Sequence, residues 1–418
     1  MLARCVVGGL CAAAVPSARL EAAEAVRVTV VGTHGQAFGF PAAWQEVLAQ
    51  AAGVSCLVTV ERRDAARGLG LESLRSAQAA VFEVGPGELE AGAMTLLREF
   101  LSAGKGCVIL GATREAWAAL PGFSEETLGA EPGAPFAAGA PMTVINLFPH
   151  PIFAGVTRFE TAQAMPGYAK LADDAQMIME GTVGEATTPL AWVRRRPAGR
   201  IVHLVPVGPD VARDPAYQRI VANAVLWTLN RPIADAQAGV QRTFMPEAHP
   251  GAIALTLPNG PGVCLDPVRG GINYIWDGDF VDLRPRWLTK QGEPARIFGE
   301  IFYREKAWQP LRSGSPTSAP DFHFRGYTLQ AGLPEFHYVI DGRDVFETIS
   351  AAPQGTGIVR RFRVGPGARP LWVNLEPQAS ADVDVRGLER DGAAGCFPGN
   401  GAGEFSIEIR RKAGGASR

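Results

Sequence analysis

Apolar runs and stretches of helical periodicity alternate along the first half of the chain. Short runs rich in Val, Ile and Leu predict buried strands at residues 26–31, 54–60, 79–84 and 106–110. Apolar positions at helical spacing predict helices at residues 41–52, 88–103 and 215–229. Two further strand-like runs, at 186–196 and 200–207, predict a strand pair. Strands that alternate with helices form parallel βαβ units, so residues 26–230 are expected to form a layered α/β sheet.

The second half has a different pattern. From residue 263 to 412, short aromatic and β-branched runs are separated by Gly, Pro and Asp, which predicts an all-β sandwich-like domain. Asp341-Gly342 lies between two such runs and is a hairpin signal. Residues 231–262 are punctuated by prolines and show little periodicity, so they are predicted to be a linker.

The first 25 residues have the three-part pattern of a secretory signal peptide. A basic start at Arg4 precedes an apolar run at 5–15 and an A-x-A-like site at 23–25. A random apolar leader from a mis-assigned start codon is the alternative. No later stretch is long and apolar enough to span a bilayer, so the mature chain is expected to be periplasmic or secreted.

Composition and charge exclude several classes of protein. The chain has 418 residues, 47% hydrophobic and 20% charged, which is unlike a disordered protein. A net charge of −2 lacks the basic character of a nucleic-acid binder. The cysteines form no C-x-x-C or C-x-x-C-H motif, so no metal or cofactor is expected. For an exported chain, a disulfide between Cys264 and Cys396 stays open as an alternative to free thiols.

Several motifs of the first half stand in a familiar order. They are the helix and glycine turn at 100–110, His150-Pro-Ile, Pro189-Leu-Ala-Trp192, Gly199-Arg200 and the closing helix from 214 to 227. This order resembles the ThuA-like (trehalose-utilisation) family, whose fold resembles class I glutamine amidotransferases. The resemblance implies a flavodoxin-like, glutamine amidotransferase-like layered parallel sheet over residues 26–230.

The chain departs from that family at polar positions of the presumed cleft. ThuA-like proteins commonly carry His at the end of the central strand, where this sequence has Gly111. They carry an Asp-Glu pair before a Tyr, where it has Met165 and Pro166, and Gly-His where it has Gly-Pro209. These side chains cannot exchange protons or bind a metal. Cys107 lies inside a strand rather than on a nucleophile elbow, so the resemblance implies a degenerate cleft.

Four polar residues remain as candidates for substrate binding. His34 follows the first predicted strand, where loops line the ligand crevice of α/β sheets, or it caps local backbone. His150 is either structural or cleft-lining. Tyr168 offers a hydroxyl to a sugar or packs against Pro166. Asp210 binds a hydroxyl or caps a turn. The run 194–196 is predicted to be a solvated hairpin tip.

The second half carries a resemblance of its own. The aromatic segments 271–283, 324–327 and 336–339, with Trp287, resemble a β-rich module beside c-type cytochrome domains in exported bacterial sugar-dehydrogenase-like proteins. That resemblance implies association with redox or cytochrome-containing proteins. Aromatic faces and carboxylates are also typical of sugar-binding sites. The alternative is that these tryptophans belong to the core of the sandwich. The residues concerned are Trp276, Trp287, Trp308, Trp372, Asp277, Asp279 and Asp282.

The sequence therefore predicts an exported, carbohydrate-related binding or accessory protein with a degenerate ThuA-like cleft, working beside periplasmic sugar oxidation. Two alternatives stay open. One is an active enzyme of sugar or keto-sugar conversion that uses His34, His150, Tyr168 or Asp210. The other is a structural interaction module of a redox complex.

Overall fold

The structure is a computed structural model of the chain. It describes residues 25–32, 45–49, 56–62, 71–83, 91–111, 127–137, 139, 142–146, 150–156, 159–195, 199–278, 281–285, 292–306, 309–330, 332–376, 378–399 and 401–412. Of the predicted signal peptide, residues 1–25, all but the last residue lies outside these ranges. No helix in them has the length and apolar character needed to cross a membrane.

The first domain contains ten strands and four labelled helices in the described ranges. The strands are β1 Val26–Gly32, β2 Cys56–Arg62, β3 Ala79–Glu83, β4 Gly106–Leu110, β5 Ala130–Phe136, β6 Thr143–Asn146, β7 Met165–Leu171, β8 Ala175–Val183, β9 Ala186–Arg195 and β10 Arg200–Leu204. The helices are α1 Leu71–Ser76, α2 Ala91–Ser102, α3 Pro209–Arg213 and α4 Pro215–Thr228, with a 3₁₀ turn at Pro151–Phe153. Residues 45–49 are also helical, within the predicted helix 41–52.

One mixed sheet organises this domain. Its strand order is β2-β1-β3-β4-β10-β9-β8-β6, and β5 pairs with β7 in a separate ribbon. The first five strands are parallel, as predicted, whereas β9, β8 and β6 are antiparallel. The predicted layered parallel sheet is therefore correct for only part of the sheet. Two residues join β8 to β9, and a connection that short can only make an antiparallel hairpin.

Helix α4 covers one face of this sheet where it was predicted. Asp214 caps its first turn by accepting a hydrogen bond from the Ala216 amide at 2.7 Å, and Pro215 occupies its first position. Ile220 and Val221 are fully buried in the core beneath it. The Asn223 side chain donates to the Ile152 and Ala154 carbonyls at 3.0 Å, which fastens the 3₁₀ turn to the helix.

The second domain contains three antiparallel sheets. Their strands are β11 Gly239–Arg242, β12 Ile253–Thr256, β13 Gly262–Asp266, β14 Gly271–Asp277, β15 Glu300–Arg304, β16 Leu311–Ser313, β17 Phe322–Gln330, β18 Leu333–Ile340, β19 Arg343–Ala351, β20 Gly357–Val364, β21 Leu371–Asn374, β22 Ala381–Arg386, β23 Glu389–Asp391, β24 Ala394–Phe397 and β25 Gly403–Arg411. Their orders are β11-β12-β13-β14-β15, β16-β21-β24-β23 and β17-β18-β19-β20-β25-β22. One apolar core joins the three sheets, as in a sandwich.

The segment 231–262 differs from the predicted linker. It contains β11 and β12, which pair with each other and, through β12, with β13 of the second domain. Its prolines stand outside these two short strands, where no ladder hydrogen bond is lost. The strands are short enough that periodicity alone did not reveal them.

A charged cluster is buried in the sandwich core. The Arg360 guanidinium donates to Glu347 at 2.5 Å and to Glu305 at 3.3 Å, and all three side chains are at most 3% exposed. The Tyr338 hydroxyl donates to the second Glu347 oxygen at 2.9 Å. Burial alone would lower the pKa of Arg360, but the two carboxylates outweigh it and raise that pKa. Arg360 is therefore charged and paired with Glu347 and Glu305, while burial raises the pKa of Glu305.

The structure decides the open alternative for Cys264 and Cys396 and corrects the prediction for Arg194. Cys264 and Cys396 carry free thiols on strands of different sheets, so no disulfide joins them. Arg194, predicted at a solvated hairpin tip, is 3% exposed and makes a bidentate pair with Asp174, the shorter contact being 2.7 Å. The hairpin extends further than the triplet suggested, so Arg194 lies within β9 on the inner face of the sheet.

Charged contacts join the two domains. The Arg195 guanidinium lies 3.4 Å from Asp277, which also pairs with Arg411 at 2.6 Å. Arg296 of the second domain donates to the Asp173 carbonyl of the first. A crevice of about 210 Å³ lies between these contacts. Because several of these groups are exposed, the interface is of the polar kind that connects domains within one chain.

We expect the substitution Asp174→Asn to destabilise the first domain by about 2 kcal/mol, because it leaves the buried Arg194 charge without its carboxylate. The measurement is denaturant unfolding followed by tryptophan fluorescence. Asp173→Asn is the matched control, since the Asp173 side chain is 96% exposed and 3.9 Å from Arg296. Equal loss in both variants would contradict a specific role for the Arg194 pair.

Candidate functional site

The first candidate site is the carboxyl edge of the parallel strands, where open α/β sheets bind ligands. The described part of this edge includes Glu83 at the end of β3, Gly111 after β4, the segment 205–210 after β10 and residues 163–165 before β7. His34 lies outside the described residues, so its role stays a prediction.

Gly111 occupies the position at which a ThuA-like histidine was expected. Its φ is +61°, a left-handed conformation that favours glycine. A Cβ built there would lie 2.6 Å from the Val207 Cγ1 atom, so the space for a side chain is already filled. The backbone and its neighbour therefore both exclude a histidine at this point in the present packing.

The other replaced positions are also closely packed. Met165 is 4% exposed and belongs to the core of the first domain, while Pro166 is half-buried. Gly208 has a φ of +140°, and a Cβ built there would lie 2.9 Å from the Gln163 side-chain amide. Pro209 begins α3 as its first residue. Small and apolar groups thus occupy the described positions at which the resemblance predicted polar ones.

His150 has a structural position. Its Nδ1 accepts a hydrogen bond from the Ile152 amide at 3.3 Å and so caps the 3₁₀ turn. Its ring packs against Trp227, with ring centroids 5.5 Å apart, near the last residue of α4. Because α4 begins at the carboxyl edge and spans about 20 Å, His150 lies toward the opposite end of the sheet from Asp210.

Tyr168 and Asp210 have contrasting environments. Tyr168 is 5% exposed and packs edge-on against Trp192 at 5.0 Å, while its amide donates to the Thr188 hydroxyl at 3.0 Å. The Asp210 side chain is 85% exposed and lies 3.4 Å from Arg213, one turn along α3. Binding roles for both residues stay predictions.

The sequence did not predict that Trp192, Arg194 and His203 form one row of buried side chains on β9 and β10. The Trp192 ring stacks on His203 with centroids 4.9 Å apart, and its Nε1 donates to the Leu128 carbonyl at 2.8 Å. The Thr127 carbonyl accepts from His203 Nε2 and from Arg194 Nη1, both at 3.0 Å. A signal for this row existed, since Trp192 and His203 fall at inward positions of a predicted strand pair.

The row fixes the protonation state of His203. Its Nε2 carries the proton that is donated to a carbonyl, which leaves Nδ1 as the bare nitrogen. Burial lowers the pKa of His203 to about 3, and the nearby Arg194 charge acts in the same direction. His203 is therefore neutral at physiological pH. Its ring stacks on Trp192, and its Nε2 donates to the Thr127 carbonyl.

The predicted aromatic and acidic sugar site of the second domain is largely structural where it is described. Trp276 is fully buried beside Tyr274. Asp277 pairs with two arginines, and Asp282 pairs with Arg284 and is 2% exposed. Trp372 donates to a backbone carbonyl at 3.3 Å, whereas Trp287, Trp308 and Asp279 lie outside the described residues. The core alternative is confirmed for Trp276.

A groove on the outer face of the six-stranded sheet is the second candidate site. Its volume is about 460 Å³. We call it the sheet groove and define it by Glu335, Phe346, Thr348, Arg361, Arg363, Arg386, Glu404 and Ser406. Outward residues of five strands form it, because side chains on one face of a strand recur every second residue.

Strand register arranges these residues in two rows. In the first, His337, Phe346, Arg363 and Glu404 stand opposite one another on successive strands. In the second, Glu335, Thr348, Arg361, Ser406 and Arg386 do so. The Phe346 ring is stacked on His337 at 4.4 Å and lies 4.1 Å below the Arg363 guanidinium. The hairpin predicted at Asp341-Gly342 sets the register of β18 and β19.

The sheet groove combines the groups that recognise polar, hydroxyl-rich molecules. Guanidinium groups donate hydrogen bonds, carboxylates accept them, and the hydroxyls of Thr348 and Ser406 do both. Nothing in the sequence marked it, because its residues come together only through register. Across the described ranges, no group of His, Cys, Asp and Glu is arranged to bind a metal ion.

Comparisons with known proteins give limited similarity. No protein-family model matches the chain, and no curated protein matches it. Among solved structures, it is similar to a putative ThuA-like protein from Bacteroides uniformis, at 15% identity and a TM-score of 0.38, covering 51% of this chain and 95% of the other. A second putative ThuA-like protein, from Parabacteroides merdae, has 12% identity, a TM-score of 0.38 and coverage of 49% and 90%.

A different protein is similar at a comparable level. The N-terminal domain of mmIFT52 has 13% identity and a TM-score of 0.34, covering 48% of this chain and 96% of that domain. ThuA-like proteins therefore stand among the structural neighbours of about half of the chain. Similarity at these TM-scores does not decide what the site does.

We expect Gly111→Ala to destabilise the first domain by about 2 kcal/mol, from the left-handed φ and the crowding with Val207. Adding Val207→Ala should remove the crowding, so the double variant should lose at least about 1 kcal/mol less than the sum of the single losses. Denaturant unfolding of the four proteins in this cycle is the measurement. Strict additivity would show that the Val207 side chain does not limit the space at Gly111.

We also expect His203 to make the first domain sensitive to acid. Between pH 6.5 and about 3, the unfolded chain binds a proton on this histidine that the native state does not. Stability should fall as pH is lowered through this window, by up to about 4 kcal/mol, and His203→Gln should flatten the fall. Unfolding at pH 7, 5 and 4 measures it, with the exposed His249→Gln as control. An unchanged slope in His203→Gln would contradict the neutral buried state.

Proposed function

We propose that this chain is a carbohydrate-related binding or accessory protein whose first domain has a degenerate ThuA-like cleft. The observation that carries the proposal is the sheet groove, which offers donors, acceptors and the Phe346 ring around a volume of about 460 Å³. Ligand sites for small polar molecules have this combination of concavity and placed polar groups. The motif order of residues 26–230 supports a sugar-related setting.

The described carboxyl edge favours binding over conversion. Gly111, Met165 and Pro209 stand where proton-exchanging groups would be required. His150 is buried beside Trp227 and lies about one helix length from Asp210, so these two candidates do not meet at one reacting atom. Turnover of a sugar or keto-sugar by the purified chain would instead support the enzyme alternative.

The cellular setting is part of the proposal. The pattern of residues 1–25 supports export to the periplasm or beyond. The aromatic motifs of the second domain support work beside redox or cytochrome-containing proteins of sugar oxidation. A purely structural role in such a complex would give association with these proteins and no saccharide binding.

Calorimetry with a panel of mono- and disaccharides tests the proposal. The protein should be taken from the periplasmic fraction, with its N-terminus sequenced to locate the cleavage site. We expect binding of at least one saccharide, weakened about fivefold by Phe346→Ala through the loss of about 1 kcal/mol of ring contact. Tyr327→Ala is the matched control, because Tyr327 is 40% exposed on the same sheet and does not line the groove.

Two results would count against the proposal. Absence of heat with every saccharide would remove its basis. Equal weakening by Phe346→Ala and Tyr327→Ala would place binding elsewhere. Thermal unfolding of both variants shows that a loss of binding does not come from a loss of fold.

A further inference from the structure

The arginines of the sheet groove differ in how their charges are used. Arg363 lies over the Phe346 ring and is 3.3 Å from a Glu335 oxygen, and Glu404 stands opposite it in register. Its charge therefore has an aromatic face and carboxylates close by. Arg361 and Arg386 have none of these contacts among the described residues; Arg361 has one hydrogen bond, to the Ser350 hydroxyl at 3.3 Å.

Register places Arg361 and Arg386 on either side of Ser406. Arg361 on β20 and Arg386 on β22 are both opposite Ser406 on the intervening β25. Strands in a sheet are about 4.8 Å apart, so the two backbones are about 10 Å apart and the long side chains can meet above Ser406. The Arg361 guanidinium lies beside the Ser350 hydroxyl on β19, and a turn of this exposed side chain brings it over Ser406. Arg361, Arg386 and Ser406 all line the sheet groove.

The charge balance of the groove favours an anionic group. Three arginines and two glutamates line it, which leaves one positive charge in excess. Glu404 stands opposite Arg363 in register and Glu335 lies at the far end of the second row, so neither carboxylate of the groove is directly opposite Arg361 or Arg386. A guanidinium group binds a carboxylate through two parallel hydrogen bonds. The arginines can therefore attract an anion and also recognise the geometry of its carboxylate.

We propose that the sheet groove binds an acidic saccharide, with its carboxylate held by Arg361, Arg386 and the Ser406 hydroxyl. The neighbouring Thr348 hydroxyl then donates and accepts hydrogen bonds with the sugar hydroxyls, and Glu335 and Glu404 accept hydrogen bonds from them. An acidic peptide fits the groove less well, because it has few hydroxyls for Thr348, Glu335 and Glu404 to bind. This inference rests on the proposed saccharide binding and names its ligand class.

Calorimetry of the full chain with tetragalacturonate tests the inference, with cellotetraose as the neutral probe. We expect tetragalacturonate to bind more tightly than cellotetraose and to lose affinity as salt is raised. Arg361→Ala and Arg386→Ala should each weaken it by roughly tenfold, the effect of one charge-assisted contact. Arg325→Ala is the matched control, because Arg325 is exposed on the opposite edge strand and does not line the groove.

The conservative variants Arg361→Lys and Arg386→Lys test the geometry. They keep the charge and lose the fork, so they should bind tetragalacturonate more weakly than the wild type but with the same dependence on salt. A sulfated tetrasaccharide separates carboxylate from general anion recognition: equal binding would overturn the carboxylate assignment. A glutamate tetrapeptide that binds as well as tetragalacturonate would overturn the saccharide assignment.

The outcomes separate this inference from the proposed function. Cellotetraose binding that survives in the Arg361→Ala, Arg386→Ala double variant, with no preference for tetragalacturonate in the wild type, overturns the inference and leaves the proposed function standing. Failure of every saccharide to bind overturns both. Circular dichroism and thermal unfolding of the double variant establish that its fold is intact, as expected for two exposed side chains.

Discussion

Two backbone carbonyls, of Thr127 and Leu128, stabilise the antiparallel half of the first sheet. They accept hydrogen bonds from Arg194, His203 and Trp192, which are all at most 3% exposed. Burying any of these polar side chains without such a partner would cost free energy. The three side chains and the backbone of residues 127–128 therefore stabilise each other. Gly129 makes the approach possible, since a Cβ there would lie 2.7 Å from the Arg194 guanidinium. The same hairpin then carries Arg195 to the second domain.

The sequence predicted the elements whose burial is continuous and missed those that depend on pairing. β4 coincides with the predicted strand 106–110, because all five of its residues are buried between layers. β5 contains two prolines and a glycine and is mostly exposed, so its strand character arises only from its pairing with β7. The antiparallel half of the sheet likewise follows from short connections, which an alternating pattern of strands and helices does not reveal.

The candidate sites show the same limit for side chains. Arg360, Arg361 and Arg363 lie on one strand, and the sequence alone does not show which of them is buried. Alternation turns Arg360 inward to Glu347 and Glu305, where it is 1% exposed, and turns the other two outward into the sheet groove. Which arginine is buried depends on the register of β20 with its neighbours, and that register is fixed by the hydrophobic face as a whole. The replaced cleft positions, by contrast, could be read directly, because their side chains lack the chemistry whatever the fold.

The geometry of β25 argues for a division of labour between the domains. Arg411 at the end of this strand joins Asp277, which also contacts Arg195 of the first domain. Ser406 lies five residues earlier on β25, about 17 Å away along the strand. Under the proposed function, a molecule of a few sugar units would occupy the sheet groove without touching the first domain. The charged contacts at the interface, which join β25 to the α/β domain, lie outside that groove.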